Sequence, residues 1–363
     1  MRTSPSERLA AFDKIFVEHQ RRDDLEDAVR RLMRDTRNTV AENEILLTQA
    51  DGRSAVLKEL WVLPVVGPSG AMKTRSLRGI LKSLNSEAGK GEIPVLYVKV
   101  RQTSRTPKSL QVQILEAFDD PTAKSLLRSR EYSEAKVNEA IRNIAREKKT
   151  LLIVLDEAHS PLDGGRADTA DVIGTTLKSI VNDAVFSIVL VGTKAMLPIL
   201  KHSELKSRKK MPVSFAEFGL DDAAGLDRFF GFVRAFEDEM RAKKVIADSI
   251  KLMRDIRDEA NIYDMTGGTP GTYTRILRLA LEAYEDDDTK SKAFGWTYIE
   301  RAFRAWNEDG AIPDPFRKGD DNDTVQRLAK LVPSKSVGAS RSRSAVAGNR
   351  RAKGRAMATH SAT

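Results

Sequence analysis

Residues 61–74 read WVLPVVGPSGAMKT, and this stretch decides the fold. Trp61 to Val66 is apolar and rich in β-branched residues, as a buried parallel strand requires. From Thr74 the chain reads TRSLRGILKSL, with Leu77, Ile80, Leu81 and Leu84 at helical spacing. The expectation is therefore a strand, a tight loop and a helix. A loop that closes onto a helix N-terminus aims several backbone N–H groups at one point, where the helix dipole also favours an anion.

Polyphosphate is the natural guest of such a loop. Gly67-Pro68-Ser69-Gly70-Ala71-Met72-Lys73-Thr74 follows the pattern G-x-x-x-x-G-K-[ST] with one departure. Gly67 takes the first position, Lys73 is placed to reach the β and γ phosphates, and the Thr74 hydroxyl is placed to ligate Mg²⁺. Met72 stands where the second glycine belongs. Gly70, two residues earlier, keeps the loop supple, while a side chain at Met72 is expected to crowd the backbone against the phosphates.

The matching signal is LLIVLDEAHS at residues 151–160. Five aliphatic residues end in Asp156 and Glu157, and a buried strand tip is a costly place for paired charge without a function. Asp156 would hold Mg²⁺, directly or through water; Glu157 would orient or deprotonate an attacking water. A doubly wound parallel sheet gathers its sites at the C-terminal ends of its strands, so the two motifs support one another.

Further strands are expected at Ile93–Val100, Phe186–Thr193 and Val213–Phe215. An amphipathic helix is expected over Tyr132–Lys149, with Ser133 as its N-cap. Thr193 suits either the γ-phosphate side of the site or a cap for the next helix. Between Lys99 and Lys108 the cations Lys99, Arg101, Arg105 and Lys108 stand among hydroxyl and amide side chains, Thr103 included. That composition fits contacts to a nucleic-acid backbone and equally a solvated loop. Lys206, Arg208, Lys209 and Lys210 form a second basic cluster, which reads as an arginine finger toward a neighbouring subunit or as a solvated helix end. From Asp221 the pattern becomes wholly helical. Within it, the turn GGTPG at 267–271 followed by Arg275 is placed to aim a guanidinium at phosphates.

The net charge of +9 is uneven: seven basic residues and no acidic one follow Ser334, so residues 1–333 carry only +2. This Ser-, Ala-, Gly- and Arg-rich end is expected to be disordered and to add salt-sensitive affinity for DNA. There is no cysteine, which excludes disulfides and thiolate metal sites and makes a reducing cytoplasm the expected compartment. No apolar run approaches the roughly 20 residues that span a bilayer, so no membrane partner is expected. The expected units are an N-terminal helical arm (1–50), an α/β nucleotide-binding domain (51–220), a helical lid domain (221–312) and a basic tail (313–363).

Together GPSGAMKT, LLIVLDEAH, FSIVLVGT, HSELKSR and TGGTPGTYTRIL resemble an AAA+ P-loop ATPase, from about Trp61 to about Tyr284. More narrowly they resemble the TniB and TnsC transposition regulators, related to the phage Mu B protein. The resemblance implies an α/β fold with a parallel sheet flanked by helices and a small helical lid. It implies hydrolysis of ATP to ADP and phosphate with Mg²⁺, and self-association as rings or helical filaments on double-stranded DNA. It further implies a DDE transposase as partner, with a target-selector protein beside it. Carried onto this chain, Lys73 and Thr74 match Walker A, and Asp156 and Glu157 match Walker B. Thr193 falls at sensor 1, Arg208 at the finger and Arg275 at sensor 2, while Lys99 to Lys108 corresponds to a DNA-contacting region. Met72 departs from the family pattern and points to slow turnover. Two other readings share these motifs: a helicase loader or initiator, and a nucleotide-stabilised scaffold that binds DNA but hydrolyses little.

Overall fold

A computed structural model describes residues 5–17, 19–50, 56–128, 132–182, 185–201, 203–287, 293–317 and 323–331. Helices α1 (Pro5–Asp13) and α2 (Gln20–Gln49) precede strand β1 (Val62–Val66). Helix α3 (Lys73–Ser86) leads to β2 (Val95–Lys99), and α4 (Pro107–Ala117), α5 (Ala123–Arg128) and α6 (Glu134–Glu147) lead to β3 (Leu152–Asp156). Then come α7 (Thr169–Val181), β4 (Ser187–Gly192), α8 (Ser203–Ser207) and β5 (Val213–Ser214). The strands pair in parallel in the order β2-β3-β4-β1-β5.

Successive side chains of a strand point to opposite faces, and each face of this sheet has its own core. Ile153, Leu155, Ile188 and Leu190 pack with residues of α4, α6 and α7 on one side. Leu152, Val154, Val189 and Val191 pack with residues of α2 and α3 on the other. Each such side chain contributes roughly 1.5–3 kcal/mol by leaving water, so the two-sided burial holds register firmly. Pro64 lies inside β1 yet breaks no ladder, because β5 pairs only with Val65 and Val66. The backbone of β1 on that side is satisfied around Pro64 instead: Val62 N–H donates to Arg208 O, and Phe215 N–H donates to Val66 O.

The N-terminal segment joins two cores. Leu25, Val29 and Leu32 of α2 lie against the sheet. Phe12 of α1, with Ile15 and Val17 beyond it, belongs to the core of the C-terminal helices. That second unit comprises α9 (Ala223–Ala242), α10 (Ile256–Thr266), α11 (Pro270–Glu285), α12 (Trp296–Trp306) and α13 (Asp323–Leu331). Phe229, Phe232, Phe236 and Trp306 pack in or on its core, as their helical spacing suggests.

Two expectations need correcting. The folded part does not stop at residue 312: Phe316, Val325, Leu328 and Leu331 pack on the same core, and Thr324 donates to Asp264 at 2.6 Å. An apolar stripe nine residues long was hidden among acidic and basic neighbours. The remainder of the 313–363 tail, with its basic cluster, lies outside the described residues from 332 onward. Ser133 does stand at the N-cap of α6, but its side chain makes no capping hydrogen bond.

Candidate nucleotide site

The loop 67–72 leaves β1 and enters α3 directly. Gly67 is demanded by close packing, since a Cβ there would come within 2.6 Å of Phe215, the residue that follows β5. Gly67 N–H donates to Gly192 O at 3.1 Å, which ties the loop to the end of β4. Met72 occupies the left-handed region at φ 63°, the conformation for which the usual glycine is suited. The chain tolerates this because the Met72 side chain is half-buried against the C-terminal helical core. The Met72 side chain is thus engaged with the second unit.

Met72 provides no side-chain cap for α3, so the N–H groups of its first turn remain for an anion. Lys73 is buried and donates to two loop carbonyls, Gly67 O at 2.8 Å and Pro68 O at 2.7 Å. Burial pushes its ammonium below the usual range, while Glu157 and Asp156 pull in the opposite direction. Thr74 Oγ1 donates to Asp156 Oδ2 at 2.7 Å, joining the two motifs across 82 residues of sequence. The same oxygen accepts from Tyr97 OH at 2.7 Å, and Asp156 Oδ1 accepts from Glu157 N–H at 2.9 Å. Tyr97 is pushed up to about 12, first by burial and then by its bond to Asp156. Arg78 lies over the Tyr97 ring at 5.3 Å.

These groups fit a magnesium nucleotide. Among the described residues no cluster of three or more His, Cys, Asp or Glu could hold a metal ion unaided. Mg²⁺ is commonly held by one or two protein oxygens together with substrate phosphates, and Thr74 and Asp156 are the residues that could supply two such oxygens. A cavity of about 200 Å³ adjoins the loop at Ala71. Its walls include His19, Arg21, Phe218, Arg228 and Phe232, from the N-terminal segment, the β5–α9 connection and α9. Arg21 lies 3.5 Å over the Phe218 ring, and its guanidinium is lowered to about 10 by burial and then by Arg228. His19 Nδ1 accepts Arg22 N–H at 3.2 Å, its Nε2 lies 3.2 Å from Ser76 Oγ, and burial lowers it to about 4. A planar base beside the phosphate loop has an apolar, aromatic wall to stack against here.

The GGTPG turn is brought to the same place. Gly271 touches the phosphate loop so closely that a Cβ there would lie 1.8 Å from Gly70 O. Thr272 also faces Gly70, and Arg275, one helical step further, shares that face of α11 and is exposed. Thr193 lies at the end of β4, where its Oγ1 accepts Ala195 N–H at 3.3 Å and so caps the following turn. Its N–H donates to His159 Nδ1 at 3.5 Å.

The basic residues are divided differently. Arg208 is 6% exposed and pairs with Glu59 at 2.8 Å inside its own subunit, at the N-terminal end of β1. Lys99 is exposed at the tip of β2. Arg101 pairs with Glu116 at 2.9 Å, and Arg105 donates to Asp163 O at 2.7 Å. Thr103 is exposed, and Lys108 lies over the Tyr132 ring at 5.4 Å. Sequence reasoning missed Tyr97, His19, Arg21, Phe218 and Arg228, and it quoted His159 without giving it a task. Tyr97 alone left a trace, as a phenol in an otherwise aliphatic strand two residues before Lys99.

The parallel sheet flanked by helices has the AAA+ P-loop fold. Residues 62–200 match the family model described as an AAA domain. Among solved structures the chain is similar to the ORC2 protein of Aeropyrum pernix in ADPNP and ADP complexes. That likeness has 17% identity and a TM-score of 0.52, over 81% of this chain and 70% of that one. It is also similar to the Aeropyrum pernix ORC1 protein in complex with DNA, at 17% identity and TM-score 0.48 over 75% and 65% of the two chains. Cdc6p from Pyrobaculum aerophilum follows at 14% identity and TM-score 0.43, over 81% and 84%. At such identities the likeness is one of fold. Comparison with curated protein sequences gives no match. Among the described residues no helix is long and apolar enough to cross a membrane.

Proposed function

We propose that this chain is an ATPase that binds MgATP at Lys73, Thr74 and Asp156, assembles on double-stranded DNA, and licenses target sites for a DDE transposase. The observation that carries the nucleotide reading is the 2.7 Å bond from Thr74 Oγ1 to Asp156 Oδ2, beside a buried Lys73 held on carbonyls it can exchange for phosphate oxygens. In the reaction, a water oxygen bonds to the γ-phosphorus as the bond to the β–γ bridging oxygen breaks, and Glu157 takes the proton from that water. Lys73 and the open N–H groups of α3 stabilise the charge on the phosphates. Arg275 is assigned to the phosphates from the second unit, and Arg208 to a neighbour's nucleotide once Glu59 releases it. The aromatic-walled cavity at Ala71 takes the adenine.

The DNA reading rests on the exposed Lys99, Arg101 and Thr103 with Arg105 on the loop after β2 and Lys108 in the first turn of α4, and on the basic tail. The transposition reading rests on the motif resemblance. A replication initiator is the second reading, and the likeness in fold to the ORC2 protein supports it. A dedicated winged-helix reader would favour it, and among the described residues no strand follows Ser214.

The test is electron microscopy with double-stranded DNA in ATP, ADP or a non-hydrolysable analogue. Glu157→Gln should trap the assembled form in ATP, with turnover reduced about 100-fold or more. Parental turnover in that variant would remove Glu157 from the role of base. An absence of DNA-bound assemblies in every nucleotide would remove the transposition reading.

A further inference from the structure

Glu157 is the residue on which the proposed hydrolysis most depends, and its backbone does not fix its side chain. At φ 58° it lies in the left-handed region, held there by its own N–H on Asp156 Oδ1 and by Ser160 N–H on its carbonyl at 2.8 Å. The side chain is 38% exposed. A carboxylate so placed needs a partner to hold one rotamer.

That partner is at hand. His159 Nε2 lies 3.4 Å from Glu157 Oε2, and the imidazole is only 17% exposed. Its other nitrogen, Nδ1, accepts the N–H of Thr193 at 3.5 Å. The ring lies against the end of β4, where a Cβ on Gly192 would come within 3.1 Å of Nδ1. Ala158 N–H donates to Val191 O at 2.9 Å, so the backbone next to the ring is fixed to β4 as well. A ring nitrogen that accepts a backbone N–H carries no proton, so in the neutral imidazole the proton is on Nε2, facing the carboxylate.

We propose that His159 is a positioning residue that aims Glu157 at the attacking water and links it to Thr193, resting on the reading of Glu157 as base. The imidazole is a strut between the two walls of the γ-phosphate position. A shift of Thr193 at the end of β4 then moves the base. A surface cap on the 3-10 turn at Ser160–Leu162 would explain the place of His159 but not a proton directed at Glu157.

Two measurements on the full chain decide the matter. In ATP hydrolysis, His159→Ala should lower kcat about 10-fold with KM within about 2-fold, as partners that orient a reacting group commonly do. His159→Gln, which keeps a donor near the Nε2 position, should recover most of the loss. In a Glu157→Gln background the alanine substitution should add nothing, because both act through one group. Parental kcat in His159→Ala, or full additivity in the double variant, overturns the proposal. The second measurement needs no turnover: ¹⁵N-histidine NMR of a chain with four histidines, the His159 signals being assigned by their loss in His159→Gln. The expected result is an Nε2-protonated ring whose signals shift in Glu157→Gln. An Nδ1-protonated ring, or signals that ignore Glu157→Gln, overturns it. Should Glu157→Gln hydrolyse ATP at the parental rate, the base assignment fails, and the NMR result still separates that failure from loss of the His159 contact.

Discussion

At the C-terminal end of β1 the chain buries Lys73, 8% exposed; beyond the N-terminal end of the same strand it buries Arg208, 6% exposed. Lys73 satisfies its ammonium on two carbonyls of a loop that also presents open N–H groups. Arg208 uses one nitrogen on Glu59 and leaves Nε and Nη1 buried without a partner. Burial of a cation therefore does not mark a site. What marks it is whether the present partners can be exchanged for a ligand, and loop carbonyls beside a helix N-terminus can be. A half-satisfied guanidinium costs stability where it lies, and substitution shows whether it is retained for packing or for use elsewhere.

The largest expected effect is at the exchangeable cation. Lys73→Ala should weaken ATP binding by about 100-fold, the worth of charge-assisted hydrogen bonds to phosphate, and abolish ATP-dependent sedimentation with DNA. Unchanged sedimentation would dissolve the contrast. Arg208→Met comes next. If the guanidinium is structural, an apolar side chain of similar length should be neutral or stabilising by about 1–4 kcal/mol in urea unfolding, with hydrolysis unchanged. If Arg208 swings out to a neighbour's nucleotide, hydrolysis on DNA should instead fall about 1,000-fold while stability rises.

A third basic side chain, His19, sharpens the comparison because burial disfavours its charged form. Its folded pKa of about 4 lies below the unfolded value of 6.5, so between these pH values the unfolded chain binds a proton that the folded chain refuses. Stability should therefore be complete above pH 6.5 and fall as the pH drops toward 4. The loss should be on the order of 2 kcal/mol, discounted for a ring that is partly solvated. The urea midpoint at pH 7 and pH 5 measures it, and His19→Gln should flatten the difference. The smallest effect is expected from Met72→Gly, which gains roughly 1 kcal/mol by removing a left-handed side chain and loses a comparable amount of packing against the helical core. Little change in melting temperature should accompany a several-fold change in ATP affinity; an unchanged affinity would mean that Met72 does not touch the site's geometry.

The phosphate loop and the acidic strand tip were legible because each is contiguous and lies at a strand end, where chemistry and topology coincide. Tyr97, His19 and the wall of Arg21, Phe218 and Arg228 were not, since they meet only after α2, β2 and α9 have packed. The partner of Arg208 was hidden for the same reason: Glu59 lies 149 residues away in sequence. The stretch 99–108 stood open in sequence, and its cations now divide between an ion pair at Arg101, a backbone carbonyl at Arg105, the Tyr132 ring at Lys108 and exposure at Lys99. Helix α13 was overlooked because charged neighbours diluted a short apolar stripe.

The N-terminal segment, joined to the sheet through α2 and to the helical unit through α1, has a practical bearing on how the protein can be cut. A fragment trimmed to residues 62–200 would strip Leu25, Val29, Leu32 and Phe215 from the cluster that covers Leu63, Val65 and Val191. It would be expected to aggregate, although every phosphate-loop residue is present. The smallest soluble piece that keeps the nucleotide loop should begin before α2, and the angle between the two units should be set by how that piece is joined to α1.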